Sequence, residues 1–340
     1  MKIKHNTIRL TLSMAGLFAA FVTQAGEIGH FNGGVMDIRD YFVPQESGFY
    51  GVVYNYYYFS DRLNNGNGDK VGSETINTPG GPVNVNVNVH LHTYALIPAL
   101  IWISPCDILG AKYGAYIAPS FANNSLGADL SVANRIGGSV NNSSFGVGDL
   151  YVQPVWLDWS LSHFDLMAAY GFYAPVGKYD TRTFTLPGGA NVTVDSKDNI
   201  GLGYWTQQAQ AGIAWYPMTN RATAVTAVGT YEYNSDKKDF DLKPGQMLTL
   251  NWGISQYLPL SKSQKLLLEV GPAGYDSWQI TDSTGSDARG SRSQVHAVGG
   301  QLGLTYVPWN AFITFHGFYE YAAESRFQGA SIGLNLGIKF

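Results

Sequence analysis

The chain has 340 residues, with 21 Lys and Arg against 25 Asp and Glu, and shows no basic stripe, which excludes nucleic acid as an expected partner. Charged residues make up only 14%, aromatics reach 14% with 22 Tyr, and Gly numbers 40, a composition of strands and turns; a mean hydropathy close to zero excludes a bundle of membrane helices. The one cysteine, Cys106, excludes an internal disulfide and with it the small stapled secreted folds.

Taken from its start, the chain opens with Lys2, Lys4 and Arg9 ahead of the apolar run LTLSMAGLFAAFV, and Thr23-Gln24-Ala25 places small residues at a cleavage point. This is the layout of a secretory signal peptide over residues 1–25, leaving an exported chain that begins near Gly26. Residues 26–47, which contain Pro44, show no strand pattern and form a separate N-terminal segment. From residue 48 onward β-like stretches recur, each followed by a turn or a polar loop. They fall at 48–60, 83–103, 111–120, 145–160, 164–177, 200–216, 222–234, 246–259, 264–279, 293–307, 311–323 and 330–340, about twelve in all.

The stretch VNVNVNVHLHTYALIPALIWI over 83–103 is the most regular. Strict alternation puts Val85, Val87, Val89 and Leu91 on one face and Asn84, Asn86, Asn88, His90 and His92 on the other, because successive strand side chains point oppositely. The run then turns almost wholly apolar and exceeds the usual strand length of about 5–6 residues. Later stretches alternate as clearly. In 330–340, Ile332, Leu334, Leu336, Ile338 and Phe340 share a face opposite Ser331, Asn335 and Lys339. In 222–234, Val225, Ala227, Tyr231 and Tyr233 oppose Thr226, Thr230, Glu232 and Asn234, and in 311–323 Ile313, Phe315, Tyr319 and Tyr321 oppose Thr314, His316 and Glu320.

The connections keep a beat of long and short. Residues 61–82, 121–144 and 178–199 and the loops NSDKKDFDLKPG and TDSTGSDARGSR are long; SPCDILG, SLSH, PMTNR, PLSKS and PWN are short. Short turns at one end and long loops at the other mark a barrel of the bacterial outer membrane, and in lipid only helices and closed barrels satisfy every backbone group. The fold expected is therefore all-β, a closed antiparallel transmembrane β-barrel of about twelve strands over 48–340. Aromatics near strand ends (Trp156, Trp159, Trp205, Trp215, Tyr216, Tyr257, Trp278, Tyr306, Trp309) suit interfacial girdles. The terminal Phe340 on an alternating strand resembles the signal read by the outer-membrane assembly machinery.

With apolar faces toward lipid, alternation assigns Asn88, His90, His92, Asp149, Gln153, Gln208, Gln210, Glu232, Asn251, Glu269, Gln301, His316 and Glu320 to the lumen as pore-lining residues. Tyr94, Pro98 and Trp102 would fill the lumen side of the apolar run. Carboxylates at Asp149, Glu232, Glu269 and Glu320 imply a wet channel or ion pairs with Lys112, Lys265 or Lys339, and a weak preference for cations. Tyr151 and Tyr173 offer stacking faces to an aromatic solute. Residues 26–47 either tuck into the lumen as a plug or stay in the periplasm; the residues do not decide.

Catalytic and metal chemistry finds little footing. His90 and His92 have metal-ligand spacing but no third ligand, and the Asp61–Asp69 loop lacks the glycine and terminal glutamate of a calcium loop, so it reads as a solvated external loop. No GxSxG or HExxH motif occurs, and His163, His296 and His316 have no serine at a predictable distance. No cofactor, metal or catalytic residue is expected.

The segments GDLYVQPVWLDW, FDLMAAYGFYAPVGKYD, GYWTQQAQAGIAWYP, LLLEVGPAGYDSW and HAVGGQLGLTYVPW, with DYFVPQESGFYGVVYNYYYFSDRLNNGNG ahead of them, resemble in this order the outer-membrane barrel family named for the meta-pathway of phenol degradation. The resemblance covers nearly all of 40–340. It implies a barrel that admits small, often hydrophobic or aromatic, compounds by passive diffusion, and it supplies no site that carries over residue by residue. The expected partners are outer-membrane lipid, the assembly machinery and a small-molecule permeant; the alternatives are a membrane-embedded hydrolase and a structural or adhesive barrel.

Overall fold

The computed structural model describes residues 28–78, 81–132, 135–185, 191–196, 198–288 and 290–340; the signal peptide expected over 1–25 lies outside them. The strands in the first half are β1 (Gly48–Ser60), β2 (Ser73–Thr78), β3 (Gly81–Ile103), β4 (Lys112–Ala118), β5 (Phe121–Val132), β6 (Arg135–Val147), β7 (Leu150–Ser160) and β8 (Phe164–Ala174). They continue with β9 (Thr181–Thr185), β10 (Asn191–Asp195), β11 (Thr206–Trp215), β12 (Thr223–Asn234) and β13 (Met247–Pro259). The last are β14 (Leu266–Gln279), β15 (Gln294–Tyr306), β16 (Ala311–Glu324) and β17 (Ala330–Lys339). Among the described residues one 3₁₀ turn, Val307–Trp309, is the only helical element.

β1 pairs with β17 on one edge, setting Tyr54 opposite Asn335, and with β3 on the other, setting Tyr54 opposite Ile97. The remaining pairings run β3–β4–β7–β8–β11 and on in order to β17. The sheet thus meets itself as a closed 12-strand antiparallel barrel. Closure matters because an open edge in hydrocarbon would leave backbone groups unpaired. The short connections gather at one end and the long ones at the other, which by the usual rule are periplasmic and external.

The long loops hold structure that the sequence conceals. β5 and β6 continue β4 and β7 past Pro119-Ser120 and Gly148-Asp149 and form a hairpin above the barrel, with Phe121 opposite Val147 and His92 of β3 opposite Ser125. β2 folds back on β3, and β9 and β10 make their own hairpin. Residues 121–144, expected as a polar loop, are therefore largely strand. Their Ser, Asn and Gly content suppresses the apolar contrast by which strands are recognised. The Asp61–Asp69 loop is likewise not simply solvated. It turns inward so that Leu63 and Asn64 are buried, and Asn64 Nδ2 donates to the Ala323 carbonyl at 2.7 Å.

Outward faces of β12, β16 and β17 are apolar as expected, and inward faces carry buried Thr230, Glu232, Thr314, His316, Ser331 and Asn335. β3 reverses the expected assignment. Ala99, Ile101 and Ile103 are buried inside, while Trp102 and Tyr94 are exposed outside. The registers carry this parity upward: Thr93 lies opposite the buried Tyr58, and His92 opposite the exposed Phe59. Asn88 and His92 are thus exposed on the outer face with His90 between them, Tyr57 OH bonds His92 Nδ1 at 2.9 Å, and Val89 is buried inside. The physical reason is position. The Asn/His end stands beyond the lipid, where the outer face is wet, and the lumen beside Ala99–Ile103 is filled by apolar Tyr41, Phe42 and Val43.

Candidate functional site

The lumen is the site, and the N-terminal segment occupies it. From Ile28 to Gln45 the chain runs down the barrel axis, from the long-loop end to the short-turn end, and meets inward side chains of successive strands. His30 bonds Asp149 Oδ2 at 2.9 Å and Thr206 Oγ1 at 2.8 Å. The Phe31 amide donates to Glu232 at 2.9 Å, Gly34 to Asn251 at 3.0 Å, and Ile38 to Gln301 at 3.2 Å. Asp37 faces His316 at 3.1 Å, and Asn335 donates to the Val35 carbonyl at 3.1 Å. Lower down, Trp156 Nε1 donates to the Tyr41 carbonyl at 3.0 Å, and the Val43 amide donates to Asp158 at 2.9 Å. A strandless segment carries unpaired amides by construction of its backbone. The wall supplies side-chain acceptors, and each such bond contributes about 1 kcal/mol.

Arg39 anchors the lower half. Its Nε donates to Ser255 at 2.6 Å and to Glu269 at 3.1 Å, a terminal nitrogen reaches the Ala222 carbonyl at 2.9 Å, and the guanidinium sits 4.1 Å from the Tyr257 ring centroid. Close passage is bought by glycine. A Cβ on Gly33 would stand 2.5 Å from the Tyr275 ring, and Gly34, at φ +74, would meet Phe318 at 2.8 Å.

Glu320 and Asp165 are partnered by the barrel itself, whereas Asp40 Oδ2 of the segment is buried without a hydrogen-bond partner. Glu320 accepts from Tyr58 at 2.7 Å, Tyr275 at 2.9 Å and the Gly329 amide at 2.8 Å, with Arg326 at 3.5 Å. Asp165 accepts from Tyr216 at 2.7 Å and pairs with Arg221. The cations expected for this role stand elsewhere: Lys112 pairs with Asp107 and Lys339 with Glu46, both at the short-turn end, and arginine and histidine take their place inside. At the rim, the Lys339 ammonium bonded to Glu46 holds that carboxyl below the usual glutamate range.

Of the residues assigned to the lumen from sequence, Asp149, Gln153, Gln208, Gln210, Glu232, Asn251, Glu269, Gln301, His316 and Glu320 are buried. Asn88, His90 and His92 are not brought to them. Trp156 and Tyr216, expected in a girdle, are buried inside, whereas Trp205, Trp215 and Trp309 are exposed outside. Tyr173 does present a stacking face, and the His30 ring already covers it at 4.7 Å between centroids. The residues that alternation missed are those of the segment itself: His30, Asp37 and Arg39. The signal available was GGVMDIR, two glycines that permit close approach followed by charges of both signs.

The wall has a weak place on β3. Between Ile97 and Ala99 of β3 the ladder lapses, where β4 gives way to β5 at Pro119. Proline there and at Pro98 lacks the donor a ladder needs. An apolar recess of about 470 Å³ lies at this break, lined by Pro98, Ala99, Leu100, Ile117, Pro119 and Leu150.

Comparison with solved structures places this architecture among outer-membrane barrels. An outer membrane channel from Pseudomonas putida F1 is 18% identical, with 90% of this chain and 100% of that chain covered at a TM-score of 0.57. The transport unit of the autotransporter AIDA-I from Escherichia coli is 12% identical, with 96% of this chain and 97% of that chain covered at a TM-score of 0.47. At 18% identity the first likeness is one of fold. No curated protein matches the chain. The match that reaches beyond fold spans residues 60–336, most of the barrel, and by it the chain belongs to the family described as MetA-pathway of phenol degradation.

Proposed function

We propose that this protein is an outer-membrane channel that passes small hydrophobic or aromatic compounds by passive diffusion, with residues 28–45 setting the width of the path. The observation that carries the reading is a closed barrel whose polar lumen is threaded along its axis by a hydrogen-bonded segment of its own chain. Twelve strands enclose a lumen between the filled interior of an eight-stranded barrel and the open pore of a large porin, so the segment leaves only a narrow way. Tyrosine rings line the lumen, Tyr116 and Tyr173 against Tyr151, and Tyr173 beneath His30, and offer stacking faces to flat apolar solutes wherever the segment moves off them. The recess beside Pro98 suits the same solutes, because the inward Ala99 there shares a lining with the outward Leu100 and Ile117. Family membership supports the solute class. Carboxylates outnumber guanidinium groups along the lumen, which favours cations over anions among charged solutes.

Uptake into liposomes carrying the purified protein tests this. Entry of small phenolic and benzylic solutes faster than sugars of similar mass is expected. Equal entry of both, or none above protein-free liposomes, would contradict it.

A further inference from the structure

Outside the barrel, one group of side chains is neither lumen nor ordinary girdle. Asp276 of β14 lies just before the strand end at Gln279, and His296 lies opposite it in β15, just after the start at Gln294. Both belong to the outward set, since Tyr275, Ser277, Val295 and Ala297 are buried inside. A carboxylate facing outward at a strand end is costly beside lipid unless held. Here it is held twice. Trp252 Nε1 donates to Oδ2 at 2.8 Å, and His296 Nδ1 bonds Oδ1 at 2.6 Å.

A carboxylate has only acceptors, so His296 Nδ1 carries the hydrogen and Nε2 is the ring atom left for another molecule. Two aromatic rings flank the imidazole. Tyr321 stacks on the imidazole at 5.6 Å and 28°, and Trp278 stands edge-on at 5.7 Å and 74°. The backbone is irregular at this spot, with a bulge between Gln294 and His296 against β16 and Ala322, next to Tyr321, at φ 49. Bulges re-aim side chains, and a non-glycine residue in the left-handed region is tolerated only where its surroundings demand it. Asp276 and His296 side chains remain 19% and 23% exposed, so the cluster is reachable from the membrane side.

We infer that Trp252, Asp276, Trp278, His296 and Tyr321 form an outward docking site for the saccharide headgroup of an outer-leaflet glycolipid. Aromatic faces take the C–H face of a sugar ring, and His296 Nε2 meets a ring hydroxyl. The carboxylate, already engaged on both oxygens, fixes the imidazole tautomer. The height on the barrel decides between lipid moieties. Strand ends at the long-loop side lie level with headgroups, and acyl chains would leave Nε2 without a partner.

The test is glycolipid binding to the full protein in detergent, read by native mass spectrometry, with His296→Ala, Asp276→Asn and the control Tyr319→Ala, an exposed outward tyrosine outside the cluster. The probes are a phosphorylated glucosamine-disaccharide glycolipid, phosphatidylethanolamine and inorganic phosphate. Gel migration before and after boiling confirms that each variant is folded, and His296→Gln replaces any that is not. Glycolipid affinity is expected to fall about five-fold, the worth of one hydrogen bond, in the His296 and Asp276 variants and to hold in Tyr319→Ala. An unchanged His296 variant, an equal loss in Tyr319→Ala, equal binding of phosphatidylethanolamine, or full competition by phosphate alone would each overturn the assignment.

Discussion

His316 shows how closely single positions are fitted. Its ring lies between Asp37 of the luminal segment and Gly333 of β17, where a Cβ would stand 1.9 Å from Nε2. The imidazole cannot swing away without losing Asp37, and both side chains are almost fully buried. Gly333→Ala is therefore expected to cost about 1–3 kcal/mol, read as a lower temperature for loss of the compact gel form. The Glu46–Lys339 pair at the rim gives a pH prediction. Glu46's folded pKa is depressed by Lys339, so the pair's contribution is present above the unfolded glutamate value of about 4.3 and is lost as pH falls through the lower folded value. Glu46 is well exposed, so Lys339→Met is expected to change stability by less than about 1 kcal/mol near neutrality and by nothing measurable at strongly acid pH. A difference that grows toward acid would contradict the assignment.

Residues also show where alternation stops being legible. It states which side chains share a face and not which way that face points. Apolar-out and polar-in holds where lipid lies outside and water inside, as at Leu334 against Asn335. At Ile101 and Trp102 both sides are apolar, because Phe42 and Val43 fill the lumen there, and towards His92 the valines turn inward and the polar side chains outward, as buried Val89 and the Tyr57–His92 bond show. Nothing within 83–103 records either circumstance.

At the scale of elements, the wall strands were readable, while the strands inside the long loops and the luminal segment were not. Each wall strand carries its own period-two pattern, independent of what it packs against. Residues 28–45 have no period because their amides bond to side chains from β7, β12, β13 and β15, whose spacing is set by the barrel. Such a segment orders only after closure. Its strongest single tie is Arg39. Arg39→Met leaves Glu269 buried with Gln301 and Ser255 but without its cation, and a cost of about 3 kcal/mol is expected by thermal unfolding. Adding Glu269→Gln is expected to recover most of it, which a double-mutant cycle reads directly. Additive losses would show that the two side chains stabilise the barrel independently.

The whole molecule joins two structures of different origin in the sequence: a wall written strand by strand and a filling written in the GGVMDIR stretch and its complements on many strands. The rhythm of loops, the even wall and the meeting of β1 with β17 follow from local patterning and from the need to leave no edge in lipid. The threaded lumen follows from inward polar groups that need partners, and those groups find them in Phe31, Gly34, Asp37, Ile38 and Arg39. Single-channel conductance in a planar bilayer, comparing the full protein with one lacking residues 28–43 and verified as folded by gel shift, addresses that arrangement most directly. The shortened protein is expected to conduct several-fold more current, with cations favoured; identical conductance in the two would contradict a segment that lies within the lumen.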